Sequence, residues 1–263
     1  TLDNTYGCTG TNCTPATGYI TTANYSTLAT TSHGVQTTSG TLSAVKGVTI
    51  NAISYGNYGL YSNQTISSST GNILITGISY GNRGISQDGA TTATAGNVTM
   101  NGTTTNQYGI YVSATITANN IVATGVASAT VSGYVVQVNA LTINSGSAGG
   151  DITITATGAS AGGGNGLYQS GAITGANGSD ITFTSNNTIS QNGAITLAAN
   201  TNATSRIFYD NTTATKASSI YGAAVTLTSG SNQDVNYTML SAGGSLQVGG
   251  GVAVNGTVTL DNT

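Results

Sequence analysis

The chain has no glutamate and no tryptophan, one proline (Pro15), one histidine (His33) and only four basic residues among its 263. Each scarcity removes a class of protein. Charged residues make up 4%, against about a quarter in an ordinary globular domain, and no basic run offers the electrostatic footprint of a nucleic-acid binder. Nothing approaches the roughly 18 consecutive apolar residues of a membrane-spanning helix, so no membrane insertion is expected. The lack of Glu and the paucity of Lys argue against helices, whereas abundant Thr, Val, Ile and Tyr suit strands. With one His and no Glu there is no Ser–His–Asp set with positional support; no catalytic residue and no cofactor site is expected. The two cysteines, Cys8 and Cys13, enclose the tetrapeptide TGTN. They read as a local disulfide in an oxidising compartment, with a reduced pair as the alternative. A zinc site would need more ligands than this chain supplies nearby.

What the sequence does have is repetition. A three-residue word, apolar–Thr–apolar, recurs as VTI (Val48), VTM (Val98), ITI (Ile152), ITF (Ile181), ITL (Ile195) and VTL (Val225), with ILI (Ile73) and IVA (Ile121) as looser members. A second word follows most of them: LYS (Leu60), ISQ (Ile85), IYV (Ile110), YVV (Tyr134), LYQ (Leu167) and IFY (Ile207). Glycine directly precedes five of these six, at Gly59, Gly84, Gly109, Gly133 and Gly166. First words are spaced by 25 (48 to 73), 25 (73 to 98) and 23 (98 to 121), and then by 31, 29, 14 and 30. Upstream, YIT at Tyr19 with VQT at Val35 reads as an earlier turn.

Short strands punctuated by Gly and Asn, without intervening helical patterns, exclude βαβ units. Units too thin to bury a face alone must stack. The expectation is an all-β, right-handed parallel β-helix (β-solenoid) of about nine irregular coils, each roughly 25–30 residues long. A two-sheet sandwich is the rival fold, and it leaves the 25-residue register unexplained. The predicted division is an N-terminal segment, 1–18, carrying the Cys8–Cys13 loop and continuing the coil path, and a solenoid body, 19–263. Because strand side chains alternate, the middle Thr of each first word points outward, so Thr49, Thr99, Thr153, Thr182, Thr196 and Thr226 are expected to form one hydroxyl ladder.

The words GNILITG, GNVTMNG, GGDITITA, NGAITLAA and VAVNGTVTL resemble the repeats of filamentous-haemagglutinin-like exoproteins, which are secreted bacterial adhesins. The resemblance implies a right-handed parallel β-helix at the cell surface or outside the cell. That family's NPNG-type secretion signature is not seen in this sequence. The pentapeptide TLDNT occurs at Thr1–Thr5 and again at Thr259–Thr263, which reads as one unit of a tandem array or a subunit stacking head-to-tail on its own kind.

Two constellations carry possible chemistry. Asp151 and Asp180 each precede a first word one coil apart, so their carboxylates are expected about 5 Å from each other. They are either turn-capping residues, a structural Ca2+ site, or the acid pair of a glycan-cleaving enzyme. The aromatics form the second set. Tyr61, Tyr111 and Tyr168 occupy the outward place of the second word, with Ser86 and Val135 between them. Tyr55 and Tyr80 share one loop register, and Tyr58, Arg83 and Tyr108 share another. This is either a contact strip for glycan or a neighbouring filament, or a ladder of cross-strand stacking. Steps of 25 place the Arg83 guanidinium between two phenol rings.

The function expected is a non-enzymatic structural or adhesive segment of an extracellular fibre, self-assembling head-to-tail or laterally, in contact with glycan or a cell surface. A carbohydrate-active β-helix (lyase, hydrolase or tailspike-like binder) is the alternative, and an ice-binding solenoid a minor one.

Overall fold

The computed structural model describes residues 33–128, 133–144, 150–158, 166–175, 178–198, 206–211, 220–228, 234–239, 246–249, 251–253 and 257–262. Cys8, Cys13, the N-terminal segment, the YIT word at Tyr19 and the first TLDNT lie outside them. The first described coil runs β1 (Val35–Thr37), β2 (Thr41–Ala44) and β3 (Val48–Ser54). Each of these strands founds a nine-stranded sheet, here called sheets I, II and III, in which every recorded neighbour pairing is parallel. The protein is therefore a right-handed parallel β-solenoid, as the repeat predicts.

Alternation builds the core. In β3 the residues Val48, Ile50, Ala52 and Ser54 are buried while Thr49, Asn51 and Ile53 face out. Stacking in register sets like upon like, as in Val48↔Ile73↔Val98↔Ile121↔Ile152↔Ile181. The result is one continuous dry core of Ile, Val, Leu and Ala, and each buried Ile or Leu side chain contributes about 1.5–3 kcal/mol. Near the C-terminal end the next inward column, which begins Ile50↔Ile75↔Met100, turns aromatic. Phe183, Tyr209 and Tyr237 stack at centroid separations of 5.1 and 4.4 Å.

Corners are closed by inward polar side chains rather than by apolar ones. The Ser54 hydroxyl accepts the Asn57 N–H at 3.1 Å, and one coil on the Ser79 hydroxyl accepts from Gly81 and Asn82 while donating to the Asn57 carbonyl. Thr104 repeats the arrangement with Asn106, Gln107 and the Asn82 carbonyl. At the opposite corner, the fully buried Gln87 amide donates to the carbonyls of Gln64 and Gly89 at 2.8 and 2.7 Å. The hydroxyls and the Gln87 N–H groups satisfied in this way fix each turn against the next coil.

The structure corrects four sequence expectations. First, there are three sheets per coil, and sheet II was not foreseen. The words at Ile195 and Val225 belong to it, through Ile173↔Ile195↔Val225. Second, IFY at Ile207 is not a second word but a sheet III strand paired with Ile181. With these exchanged, sheet III recurs at 48, 73, 98, 121, 152, 181, 207, 235 and 258, in steps of 25, 25, 23, 31, 29, 26, 28 and 23, and the anomalous step of 14 vanishes. Third, Thr196 and Thr226 leave the hydroxyl ladder. The sheet III column reads Thr49, Leu74, Thr99, Val122, Thr153, Thr182 and then Phe208, whereas sheet II carries the unbroken one, from Ser43 and Ser67 through Thr92, Thr117, Thr142 and Thr174 to Thr196. Fourth, the residue opposite Tyr111 is Gln137, not Val135. Val135 and Val136 both donate to the Gly166 carbonyl and both are buried, so the strand begins at Val136 rather than Tyr134 and the register slips by two.

Candidate functional site

The aromatic side chains converge on the flank formed by sheet I and the turn that leads into it. In that turn, residues 33, 58, 83 and 108 hold equivalent places, because Gly34 N–H donates to Tyr58 O, Gly59 N–H to Arg83 O, and Gly84 N–H to Tyr108 O, each at 2.9 Å. The Arg83 guanidinium carbon lies 5.6 Å from the Tyr58 ring centroid, 5.0 Å from Tyr108 and 4.0 Å from Tyr111. Its Nη1 donates to the Ser86 hydroxyl at 3.1 Å, so the guanidinium covers the one strand position on this stretch that lacks a ring. Planar, weakly hydrated Arg suits such a place better than Lys would.

His33 extends the stack by one coil. Its ring lies 4.9 Å from Tyr58 at an interplanar angle of 4°, and 5.1 Å from Tyr61. Partial burial lowers its pKa below the usual histidine value. Tyr55 and Tyr80 stack on each other at 4.7 Å, nearer the sheet III corner. Farther along, Tyr168 stacks on Tyr134 at 4.5 Å. Burial raises the Tyr134 phenol above its ordinary pKa, and the Tyr168 and Tyr108 phenols add to the shift. Tyr134 and His33 escaped the sequence reading because one sits in a shifted turn and the other is not a tyrosine.

The outward column of sheet I is fixed by register: Gln36, Tyr61, Ser86, Tyr111, Gln137, Tyr168, Ser190, Tyr221 and Gln247. Tyrosine occupies every second place. Tyr221, not singled out in the sequence, ends the series and is 38% exposed. It borders an open depression of about 400 Å³ shared with Asn192 and Gln247. Between Tyr168 and Tyr221 the Asn192 amide donates to the Tyr168 hydroxyl at 3.3 Å, and the Ser190 hydroxyl donates to Asn192 Oδ1 at 3.1 Å.

Asp151 and Asp180 are placed one coil apart in a different column, at the entry to sheet III. Each member of that column presents a side-chain oxygen to the coil above. Asn72 Oδ1 accepts Asn97 N–H, Asn120 Oδ1 accepts Asp151 N–H, Asp151 Oδ1 accepts Asp180 N–H and Asp180 Oδ1 accepts Arg206 N–H, at 2.8–3.1 Å. Asp180 is further held by the Arg206 side chain, Nε to Oδ1 at 3.2 Å and Nη2 to Oδ2 at 2.6 Å. The pair thus acts as turn caps within a ladder, with one carboxylate neutralised by an arginine. Among the described residues no group of three or more His, Cys, Asp or Glu is placed to hold a metal ion, and no helix is long and apolar enough to cross a membrane.

No protein-family model, curated protein or solved structure matches the chain.

Proposed function

We propose that the chain is a non-catalytic structural and adhesive segment of an extracellular bacterial fibre. The observation that carries this reading is the aromatic flank: a line of rings, braced from the adjoining turn by Tyr58, Tyr108 and Tyr134, laid along a rod whose coils bond one to the next through three nine-stranded sheets. Rings held in place along a stiff support make a surface suited to adhesion, since little ordering entropy remains to be lost on contact. The repeat words of secreted adhesins agree with it. The carbohydrate-cleaving alternative loses its acid pair, because Asp151 and Asp180 are committed to backbone N–H groups and to Arg206.

Head-to-tail continuation belongs to the same proposal. From Val48 to Val258 sheet III takes eight steps over 210 residues, and TLDN recurs within the last strand, Val258–Asn262. The TLDNT displacement of 258 residues exceeds those eight steps by 48, close to the length of two further coils, which agrees with a second copy adding on in register. Electron micrographs of concentrated protein are expected to show filaments, and assays for new reducing ends on a panel of polysaccharides to show none. Dispersed short particles would refute the assembly, and turnover of any polysaccharide would refute the non-catalytic reading.

A further inference from the structure

The tyrosines of sheet I recur with a period that packing does not require. Where rings stack for their own stability in this molecule they do so on consecutive coils, as Tyr55 does on Tyr80 and Tyr209 on Tyr237, at 4.7 and 4.4 Å. Tyr61, Tyr111, Tyr168 and Tyr221 are instead two coils apart, separated by Ser86, Gln137 and Ser190. At strand spacing that is about 9.6 Å between successive rings and about 29 Å over the four, too far for any of them to touch the next. Three of the four are instead braced by a turn ring: Tyr61 by Tyr58 at 5.5 Å and Tyr111 by Tyr108 at 5.4 Å, each from the turn just before it, and Tyr168 by Tyr134 at 4.5 Å, from the turn one coil earlier. The column contains no acid and no base, and the charge that reaches over it, Arg83, is itself set among rings.

We propose that this column is a docking strip for one extended chain of a β-1,4-linked glucan, laid along the rod axis. In such a chain each glucose is turned over relative to the last, so the same face returns once per disaccharide, and the disaccharide length is close to two coils of the solenoid. Every second sugar then sets its apolar C–H face on a tyrosine. The sugars between meet polar groups: the Arg83 guanidinium lying over the buried Ser86, the Gln137 amide, and the Ser190–Asn192 pair. These small polar partners match bare equatorial hydroxyls, and the neutral column matches a neutral polymer. α-1,4 and β-1,3 chains coil, and cannot keep one face toward a straight row of rings. The inference rests on the adhesive, non-catalytic reading above and names its ligand.

The test is calorimetric titration of the whole chain with cellohexaose, together with retention on swollen cellulose, beside maltohexaose, laminarihexaose and chitohexaose. Cellohexaose is expected to bind and cellotriose, which reaches one fewer ring, to bind more weakly. Tyr111→Ser and Tyr168→Ser introduce the residue already present at positions 86 and 190, so the fold should persist; thermal melts check this. Each should weaken cellohexaose about five-fold, and the pair about 25-fold, since the two sites are not in contact. Tyr111→Phe and Tyr168→Phe keep the stacking face and should bind within about two-fold of the parent. Equal or tighter binding of maltohexaose, laminarihexaose or chitohexaose, or serine variants that bind as the parent does, would overturn the strip. Failure to bind cellohexaose, with filaments formed and no polysaccharide cleaved, overturns the strip while leaving the fibre reading in place. Cleavage of cellohexaose overturns both.

Discussion

Replacement of Gly84 by alanine measures how tightly the coils are stacked. A Cβ at this position would lie 2.6 Å from the Gly109 carbonyl oxygen, 2.6 Å from Thr103 N and 2.7 Å from Thr103 O. All three are backbone atoms of the next coil, so no side chain can swing aside. Nor can the turn withdraw, because Gly84 N–H donates to Tyr108 O, and Leu60 N–H and Ile85 N–H make the flanking bonds, each at 2.9 Å. Overpacking costs about 1–3 kcal/mol, and one weakened ladder bond adds about 0.5–1.5. The stiffer unfolded chain returns about 0.4–1 kcal/mol. The net loss is about 2 kcal/mol, which lowers Tm by about 4–8 °C in a chain of this size. Thermal melts followed by circular dichroism provide the assay. Gly249→Ala is the control, since among the described residues its Cβ would meet only the Gly222 oxygen at 3.5 Å, and it should change stability by less than about 0.5 kcal/mol. Equal melting of Gly84→Ala and Gly249→Ala would refute the account of the glycine column as a demand for space between coils.

Three more outcomes are expected. Arg83→Met keeps the length of the side chain but loses the cation among the rings of Tyr58, Tyr108 and Tyr111, and should cost about 1 kcal/mol in urea titrations, while Arg83→Tyr, which continues the column, should cost less; the reverse order would count against the stacked geometry. Asp180→Asn retains an acceptor for Arg206 N–H and gives up only an exposed ion pair, a change below about 0.5 kcal/mol, whereas Asp180→Ala also loses the ladder bond and should cost about 1 kcal/mol more by the same titration. Burial pushes the Tyr209 phenol well above its ordinary range, with Tyr237 adding to the shift. The folded state then holds that proton longer than the unfolded state, so the associated stability is complete below pH about 10 and is lost as pH rises beyond it. Tyr209→Phe should give a shallower fall of stability between pH 10 and 11, and at neutral pH a loss of about 1 kcal/mol from the missing bond to Gln191; parallel pH profiles for the two proteins would contradict the buried phenol.

The part of the fold legible in the sequence is the part where coils have one length. From Val48 to Ile110 every step is 25, so Tyr58, Arg83 and Tyr108 could be superposed by subtraction, and the structure places them at equivalent turns. Beyond residue 121 the connections vary in length and the three-residue word loses its meaning, because ITL at Ile195 and ITF at Ile181 look alike but lie in different sheets. The distinguishing signal was strand length. ITF begins an alternation that continues inward to Ser185, and RIFYDN likewise buries Ile207, Tyr209 and Asn211, whereas the sheet II strands are only two to four residues long. Sheet II was missed because its early words, TLSA, TISS and TTA, are rich in Ser and Thr and read as loop. The strip of alternating tyrosines was half visible. Tyr61, Tyr111 and Tyr168 stood out, but Tyr221 and the true spacer Gln137 needed the register that the doubled Val135–Val136 conceals.

The solenoid also accounts for the composition. In a stack of like coils each surface position faces its own counterpart about 4.8 Å above and below. A repeated charge at that distance repels itself by about 1 kcal/mol in bulk water, and by about 3–4 at the effective dielectric near a protein surface. Hydroxyl and amide side chains do the opposite, because each is both donor and acceptor. Thr174 donates to Thr142 at 3.2 Å, and the Asn120 amide donates to Asn97 Oδ1 at 2.8 Å. Thr, Ser and Asn can therefore fill a column from end to end, whereas Asp cannot. Among the described residues the place where acids stack, Asp151 beneath Asp180, is also where a scarce arginine, Arg206, takes the next position in the column and holds Asp180 with two hydrogen bonds. By this logic the other described arginine obeys the same constraint in a different way: Arg83 has no charged neighbour in its column, and Tyr58 and Tyr108 on the adjoining coils supply the electron-rich faces that a like charge would have denied it.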